Sequence, residues 1–129
     1  MAEHMFEKKV YYHDTDAGGV VYYGNYWKFL EEGRTEFCAA RGFDVRALFA
    51  KGISFFVVHA EADYKSPARY GDIVSVVTRV DKVGNSSIHF SQEIVKNSKI
   101  LVSAKVVWAC VGPGFKVMSV SDDIRKALL

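Results

Sequence analysis

The chain has 129 residues, half of them hydrophobic and a quarter charged, a composition that excludes a disordered chain and suits a folded globular one. One domain spanning 1–129 is the expected count at this length. A formal charge of only +2, without a long Lys/Arg run, argues against a nucleic-acid partner, and no apolar run approaches the roughly 18 residues of a membrane-spanning helix. Cys38 and Cys110 lack metal-ligand spacing and read as buried apolar thiols in a reducing compartment. The opening residues carry Glu3, His4, Glu7, Lys8 and Lys9, which leaves no room for the apolar stretch of a signal peptide. A cytoplasmic location without membrane insertion is the expectation.

Met5 to Tyr12 reads as a strand, followed by the turn-rich run His13-Asp14-Thr15-Asp16-Ala17-Gly18-Gly19. Tyr26, Leu30, Gly33, Phe37 and Ala40 then recur at spacings of three and four and predict one long helix. Asn25 is its expected N-cap and Gly42 its stop. Mid-helix Gly33 costs about 1 kcal/mol against Ala, a cost that close approach of the helix to a sheet would offset. Strands follow over Ser54–Tyr64, Ile73–Lys82, Ser87–Lys96 and Lys99–Val111, with turns at Pro67, Tyr70-Gly71-Asp72, Val83-Gly84-Asn85 and Asn97-Ser98. Strict alternation puts Phe56, Val58, Ala60, Ala62 and Tyr64 on one face, and Ile100, Val102, Ala104, Val106, Trp108 and Cys110 on one face of the last strand. Ser121-Asp122-Asp123 caps a short C-terminal helix. The expected fold class is α+β: a five-stranded antiparallel sheet, its later strands joined as hairpins, against one long helix. Apolar residues on the far face and long edge strands favour a homodimer or homotetramer.

Chemistry concentrates in His13 to Tyr26. Two carboxylates, two adjacent glycines and a helix start fall within a dozen residues. Glycines let a ligand approach the backbone, a helix start offers unpaired N–H groups to an oxyanion, and a nearby carboxylate can serve as nucleophile or general base. Asp and Gly clusters before helices are also ordinary turns and caps, so the residues alone leave both readings open.

The run Asp14-Thr15-Asp16-Ala17-Gly18-Gly19-Val20-Val21-Tyr22-Tyr23-Gly24-Asn25-Tyr26, with Phe29-Leu30-Glu31-Glu32-Gly33-Arg34, closely resembles the signature of the 4-hydroxybenzoyl-CoA thioesterase family and its Tol-Pal-associated acyl-CoA thioesterases. Tyr64-Lys65-Ser66-Pro67 and Tyr70-Gly71-Asp72 extend the likeness. The resemblance implies a hotdog fold, a sheet wrapped around a central helix, and dimers or tetramers with composite sites. It places the catalytic aspartate on Asp16 and the carbonyl-polarising backbone N–H on Tyr23, with Gly24 adjacent. Tyr12 matches a tyrosine near the site. Many Tol-Pal-type relatives carry histidine where Tyr23 stands, whereas the hydroxybenzoyl enzyme has tyrosine, so a backbone role suits both. The family's basic CoA-binding cluster aligns near Gly84-Asn85-Ser86, which is not basic here; Lys65, Arg69 and Lys82 are candidate substitutes.

His59 sits in a strand matching one that faces the partner's helix in the family, which makes it a candidate for lining a composite site; His89 reads as a solvated strand histidine. His13, Asp14 and Asp16 lack the further ligands of a metal site, and neither metal nor cofactor is expected. Arg34 is expected to form an ion pair with Glu31, Glu32 or Asp72. No serine occupies a nucleophile elbow, and the absence of histidine between Asn25 and Arg41 argues against a hotdog dehydratase. The expected function is hydrolysis of short-chain or aromatic acyl-CoA through Asp16; the alternative is a non-catalytic module binding acyl-CoA or a partner.

Overall fold

The apolar stripe that starts at Tyr26 needs a surface to cover, and the alternating strands supply it. In the computed structural model, which describes residues 3–129, the stripe forms helix α1 (Tyr26–Ala40), with Tyr26, Phe29, Leu30, Gly33, Arg34, Phe37 and Cys38 buried. Met1 and Ala2, counted in the expected domain, lie outside the described residues. The sheet comprises β1 (His4–Lys9), β2 (Ser54–Tyr64), β3 (Ile73–Val83), β4 (Ser87–Lys96) and β5 (Lys99–Val111) in the order β1-β3-β4-β5-β2, every neighbour antiparallel. α1 packs over β1 and β3. Val74, Val76, Val80, Ile88, Phe90, Ile94, Val102 and Val106 fill the layer between helix and sheet, each at most 1% exposed.

Three expectations about the strands need correction. β2 and β3 do not form a hairpin: β2 pairs with β5 at one edge, and β3 lies between β1 and β4. The two turn signals around Pro67 and Gly71 are the bends of a crossover. Lys65 and Ser66 donate their N–H groups to Leu101 O on β5, at 2.8 and 3.2 Å, while Val21 N–H bonds Ala68 O at 2.9 Å, so the chain is tied across the sheet end before it can fold back on β2. Alternation also fails at three bulges. Val58 is skipped in the pairing of β2 with β5, Asp81 in that of β3 with β4, and Leu101 in that of β4 with β5. An extra residue reverses the phase of everything beyond it. Phe55 therefore shares the helix side with Ala60, Ala62 and Tyr64, and Leu101, 3% exposed, takes the core place expected of Ile100, which is 36% exposed. The first strand stops at Lys9, because Val10 N–H turns to Asp72 O (2.8 Å) and residues 12–14 form a 3-10 turn.

Helix α2 (Val45–Ala50) was not anticipated. The Asp44 carboxylate caps it through Arg46 N–H at 2.8 Å. Helix α3 (Asp122–Leu128) starts at the expected cap, with Ser121 Oγ accepting from Ile124 N–H at 3.3 Å and burying Ile124 and Leu128. Gly42, at φ 89°, follows the end of α1 as expected, but Asn25 makes no side-chain cap. Both cysteines are buried and free; burial pushes the Cys38 thiol up to about 12 against the opposing pull of Arg34.

Arg34 does not meet Asp72. It is 4% exposed, donates to Gln92 Oε1 at 3.0 Å and lies 5.7 Å from the centre of the Trp108 ring. Burial lowers the guanidinium to about 10, with Glu31 and Cys38 opposing the shift. Asp72 pairs instead with Lys96 at 2.8 Å.

Gly33 marks the close approach of α1 to β3. A Cβ there would stand 2.5 Å from Val76 Cγ1, 3.1 Å from Thr78 Oγ1 and 3.2 Å from Gln92 Nε2. Val76 is fully buried and its β-branched side chain has little rotamer freedom. Overpacking of about 1–3 kcal/mol thus outweighs the gain of about 1 kcal/mol in helix propensity. Gly33→Ala is expected to lower the urea midpoint; an unchanged or higher midpoint would show that the helix can lift off the sheet at no net cost.

Candidate active site

The segment before α1 folds as two linked turns held by one buried carboxylate. Asp14, 7% exposed, accepts Tyr11 N–H at Oδ2 (2.9 Å), and its carbonyl accepts Tyr22 N–H (2.9 Å) and the Asn25 amide (3.0 Å). Thr15 bridges Val21. Between them residues 16–19 make a tight turn: Asp16 N–H bonds Val20 O at 2.9 Å and Gly19 N–H returns to Asp16 O at 3.1 Å. Gly19 takes φ 77°, where a side chain would be strained. Asp16 is exposed, and its Oδ1 accepts Gly18 N–H at 2.8 Å. Its second oxygen carries no hydrogen bond from the described residues.

A 3-10 turn over Tyr23–Asn25 leads directly into α1. Its first N–H groups, on Tyr23 and Gly24, have no acceptor within the turn. A Cβ at Gly24 would stand 2.8 Å from the Tyr22 ring, so the half-exposed tyrosine lies directly over the turn. The turn opens onto a cavity of about 250 Å³ lined by Val21, Tyr23, Tyr26, Tyr64, Lys65, Ser66 and Pro67. Tyr64 stacks edge-on to Tyr23 at 6.0 Å and lies 5.8 Å from Tyr26.

Tyr26 joins this cavity to the crossover. Its hydroxyl accepts Ala68 N–H at 3.0 Å, and Ala68 O in turn accepts Val21 N–H at 2.9 Å. Burial raises the hydroxyl above its ordinary value; the Ala68 N–H lowers it, and the charges of Asp16 and Asp72 add to the rise. Asp16 is thus in electrostatic reach of the cavity wall. The Tyr22 hydroxyl, hydrogen-bonded to Tyr23, is also raised. Partial burial tends to raise the Asp72 carboxyl, but the Lys96 ammonium and the Arg69 N–H hold it below the usual range.

Of the residues singled out from sequence, Tyr23 and Lys65 line the cavity at the start of α1, Gly24 follows Tyr23 in the turn, and Asp16 reaches the cavity wall through its charge on Tyr26. Arg69 lies beside them, bridging Val20 and donating its N–H to Asp72. Tyr12 is 77% exposed and packs edge-on against Tyr70 at 5.8 Å. His59 and Lys82 lie elsewhere, sharing a cavity on the sheet face away from α1, and within one chain they do not meet Asp16. The sequence reading missed the structural role of Asp14 and the Tyr26–Ala68–Val21 clamp. Asp14 carries a local signal, a carboxylate three residues after the N–H it accepts; the clamp joins residues 42 apart and has none.

The matching family model is the thioesterase-like superfamily, over residues 10–128. The chain belongs to that superfamily. It is a thioester hydrolase. It is 40% identical to the acyl-CoA thioesterase YbgC of Haemophilus influenzae over 124 residues, which cover 95% of this chain and 91% of that protein. Among solved structures, a probable thioesterase from Bartonella henselae is 33% identical with a TM-score of 0.88, covering 93% of this chain and all of that one. A 4-hydroxybenzoyl CoA thioesterase bound to 4-hydroxybenzoyl CoA superposes with a TM-score of 0.90 at 15% identity, covering 98% and 99% of the two chains, a likeness of fold alone.

In this thioesterase-like chain Asp14 is a pin and Asp16 the accessible carboxylate. Asp14→Ala removes a buried acceptor from Tyr11 N–H and is expected to cost about 1–3 kcal/mol, read as a fall in Tm; a Tm equal to the parent's would mean that the turn is held without it.

Proposed function

We propose that the protein hydrolyses acyl-CoA thioesters at the start of α1, with Asp16 as the reacting carboxylate. The observation that carries this reading is an exposed carboxylate, anchored through one oxygen to Gly18 N–H and acting by its charge on Tyr26 at the cavity wall, ahead of a turn whose Tyr23 and Gly24 N–H groups have no backbone acceptor among the described residues. The thioester carbonyl accepts the Tyr23 N–H, which stabilises the oxyanion that forms on attack. Asp16 either attacks the carbonyl carbon, expelling CoA thiolate and leaving an acyl-aspartyl anhydride for water to cleave, or takes a proton from the attacking water. Lys65 at the cavity rim offers a cation to the leaving thiolate or to the CoA tail. The tyrosine-lined cavity suits an aromatic or short aliphatic acyl group, and the YbgC relatives' name supports CoA as its carrier.

Asp16→Asn keeps the hydrogen bond from Gly18 and removes the charge. It is expected to reduce kcat for a good acyl-CoA substrate by about 10²-fold or more with an unchanged Tm. Parental turnover in that variant would remove Asp16 from the chemistry. Saturable acyl-CoA binding without turnover in the parent itself would leave only a binding module.

A second copy of the chain is part of this proposal, as a homodimer or a homotetramer built from it. β2 is an open edge of 11 residues, on which Phe56, Val57 and Val58 are 40%, 50% and 62% exposed. Open edges with apolar side chains favour pairing, and edge-to-edge pairing would bring the second copy to the Tyr64 wall of the cavity. Val58→Lys is expected to shift the sedimentation coefficient to that of a monomer and to lower hydrolysis with it; a monomeric parent would sink the pairing.

A further inference from the structure

The face of the sheet turned away from α1 carries a second group of charges that the proposed hydrolysis does not use. His59 on β2, Val107 on β5, His89 on β4 and Lys82 on β3 stand opposite one another in one cross-strand row. Glu61, Lys105 and Ser91 stand in a neighbouring row. The bulges at Val58 and Asp81 both adjoin the first row, on the two strands that flank this region. Bulges bend a strand and re-aim its side chains, and between these two the surface sinks into a cavity of about 340 Å³. Its charged lining is His59, Glu61, Asp81, Lys82, His89 and Lys105.

The carboxylates of this lining are already engaged. Glu61 Oε1 is 2.9 Å from His59 Nε2, and Asp81 accepts the Ser91 hydroxyl and lies 4.0 Å from Arg79. Lys82 and Lys105 differ: neither makes an ion pair or hydrogen bond among the described residues. Lys82 and Lys105 both line the recess and leave their ammonium groups available to an anion, which lysine serves as a mobile point charge. The volume is at the lower end of ordinary ligand pockets, enough for a phosphate or pyrophosphate group.

We propose that this recess is an anion site that holds a phosphate or pyrophosphate group between Lys82 and Lys105, beside His59 and His89, whose Nε2 atoms are engaged by Glu61 and by the Ser87 hydroxyl. Two sources carry that chemistry. One is the CoA portion of the substrate, an arm that rests on the acyl-CoA reading above; the other is a free phosphate-bearing ligand.

The test is the double variant Lys82→Gln/Lys105→Gln beside the parent. Inorganic pyrophosphate titrated calorimetrically into the parent is expected to bind, and binding is expected to weaken about tenfold or more in the variant, the loss of one to two charge-assisted contacts. Steady-state kinetics with one acyl group on CoA and on pantetheine then separate the sources. If the substrate supplies the phosphate, KM for the CoA thioester rises about tenfold at constant kcat and KM for the pantetheine thioester does not follow. If a free ligand supplies it, both KM values hold while pyrophosphate affinity falls. No binding of pyrophosphate to the parent, or equal binding to the variant, overturns the proposal. So does a changed sedimentation coefficient with pyrophosphate affinity intact, which would make the recess a contact between copies. Pyrophosphate binding is read without turnover, so failure of the hydrolysis reading and failure of this site are separate results.

Discussion

Gln92 is fully buried between α1 and the sheet, and its amide spans them. Nε2 donates to Leu30 O on the helix and to Thr78 Oγ1 on β3, both at 2.9 Å, while Oε1 accepts from Arg34 at 3.0 Å. A buried amide costs free energy unless its donors and acceptor are satisfied, so the helix has one favourable register over the strands. Gly33, one residue before Arg34, removes the side chain that would hold the helix away. Since α1 runs rigidly from Tyr26, fixing its middle fixes its start, and with it the N–H groups of the turn at Tyr23. The guanidinium of Arg34 is buried with this arrangement, and its desolvation lowers it against the smaller opposing pull of Glu31 and Cys38.

The helix start is then held from its other side by chain far away in sequence. Tyr26 receives Ala68 N–H, Ala68 receives Val21 N–H, and Lys96 holds Asp72 at the end of the same crossover. A fully buried Ala68 in an irregular segment is affordable only because its N–H and C=O are both paired. The crossover therefore cannot be a hairpin turn. It is the strap whose Lys65, Ser66 and Pro67 wall the cavity at the start of α1.

That strap also explains what was legible from sequence and what was not. The α1 stripe, the strand positions and the Asp16 turn were read from local pattern, since 3.6-residue spacing, alternation and glycine pairs are properties of neighbours along the chain. The strand order was not, because pairing of β2 with β5 depends on Lys65 and Ser66 meeting Leu101 O, contacts 36 and 35 residues apart. Nor were the bulges at Val58, Asp81 and Leu101, each of which looks like an ordinary alternating residue. Their effect on function is direct. An unbroken β2 would have put Phe55 and Tyr64 on opposite faces, whereas the bulge lets Phe55 stack on Trp108 at 5.3 Å while Tyr64 still walls the cavity with Tyr23. The candidate residues divide along the same line: Tyr23 and Lys65 wall one cavity where the turn meets the strap, and His59 and Lys82 are carried by bulged strands to another.

The two edges of the sheet are unequal, and this asymmetry bears on how the site is completed. β1 is short, at 6 residues, and Lys8 on it meets Glu32 of α1 at 3.3 Å, so helix and strand shield one another. β2 is nearly twice as long, and even its helix-side residues Val57 and Tyr64 are half exposed, because α1 packs over β1 and β3 and leaves the β2 edge uncovered. Its open edge is continuous with the Tyr64 wall of the cavity. A partner strand at that edge, as proposed above, would lie against the Tyr64 wall of the cavity. Under the proposed hydrolysis, exclusion of water from the thioester and burial of the edge would be one event, because N–H groups open to solvent stabilise an oxyanion least.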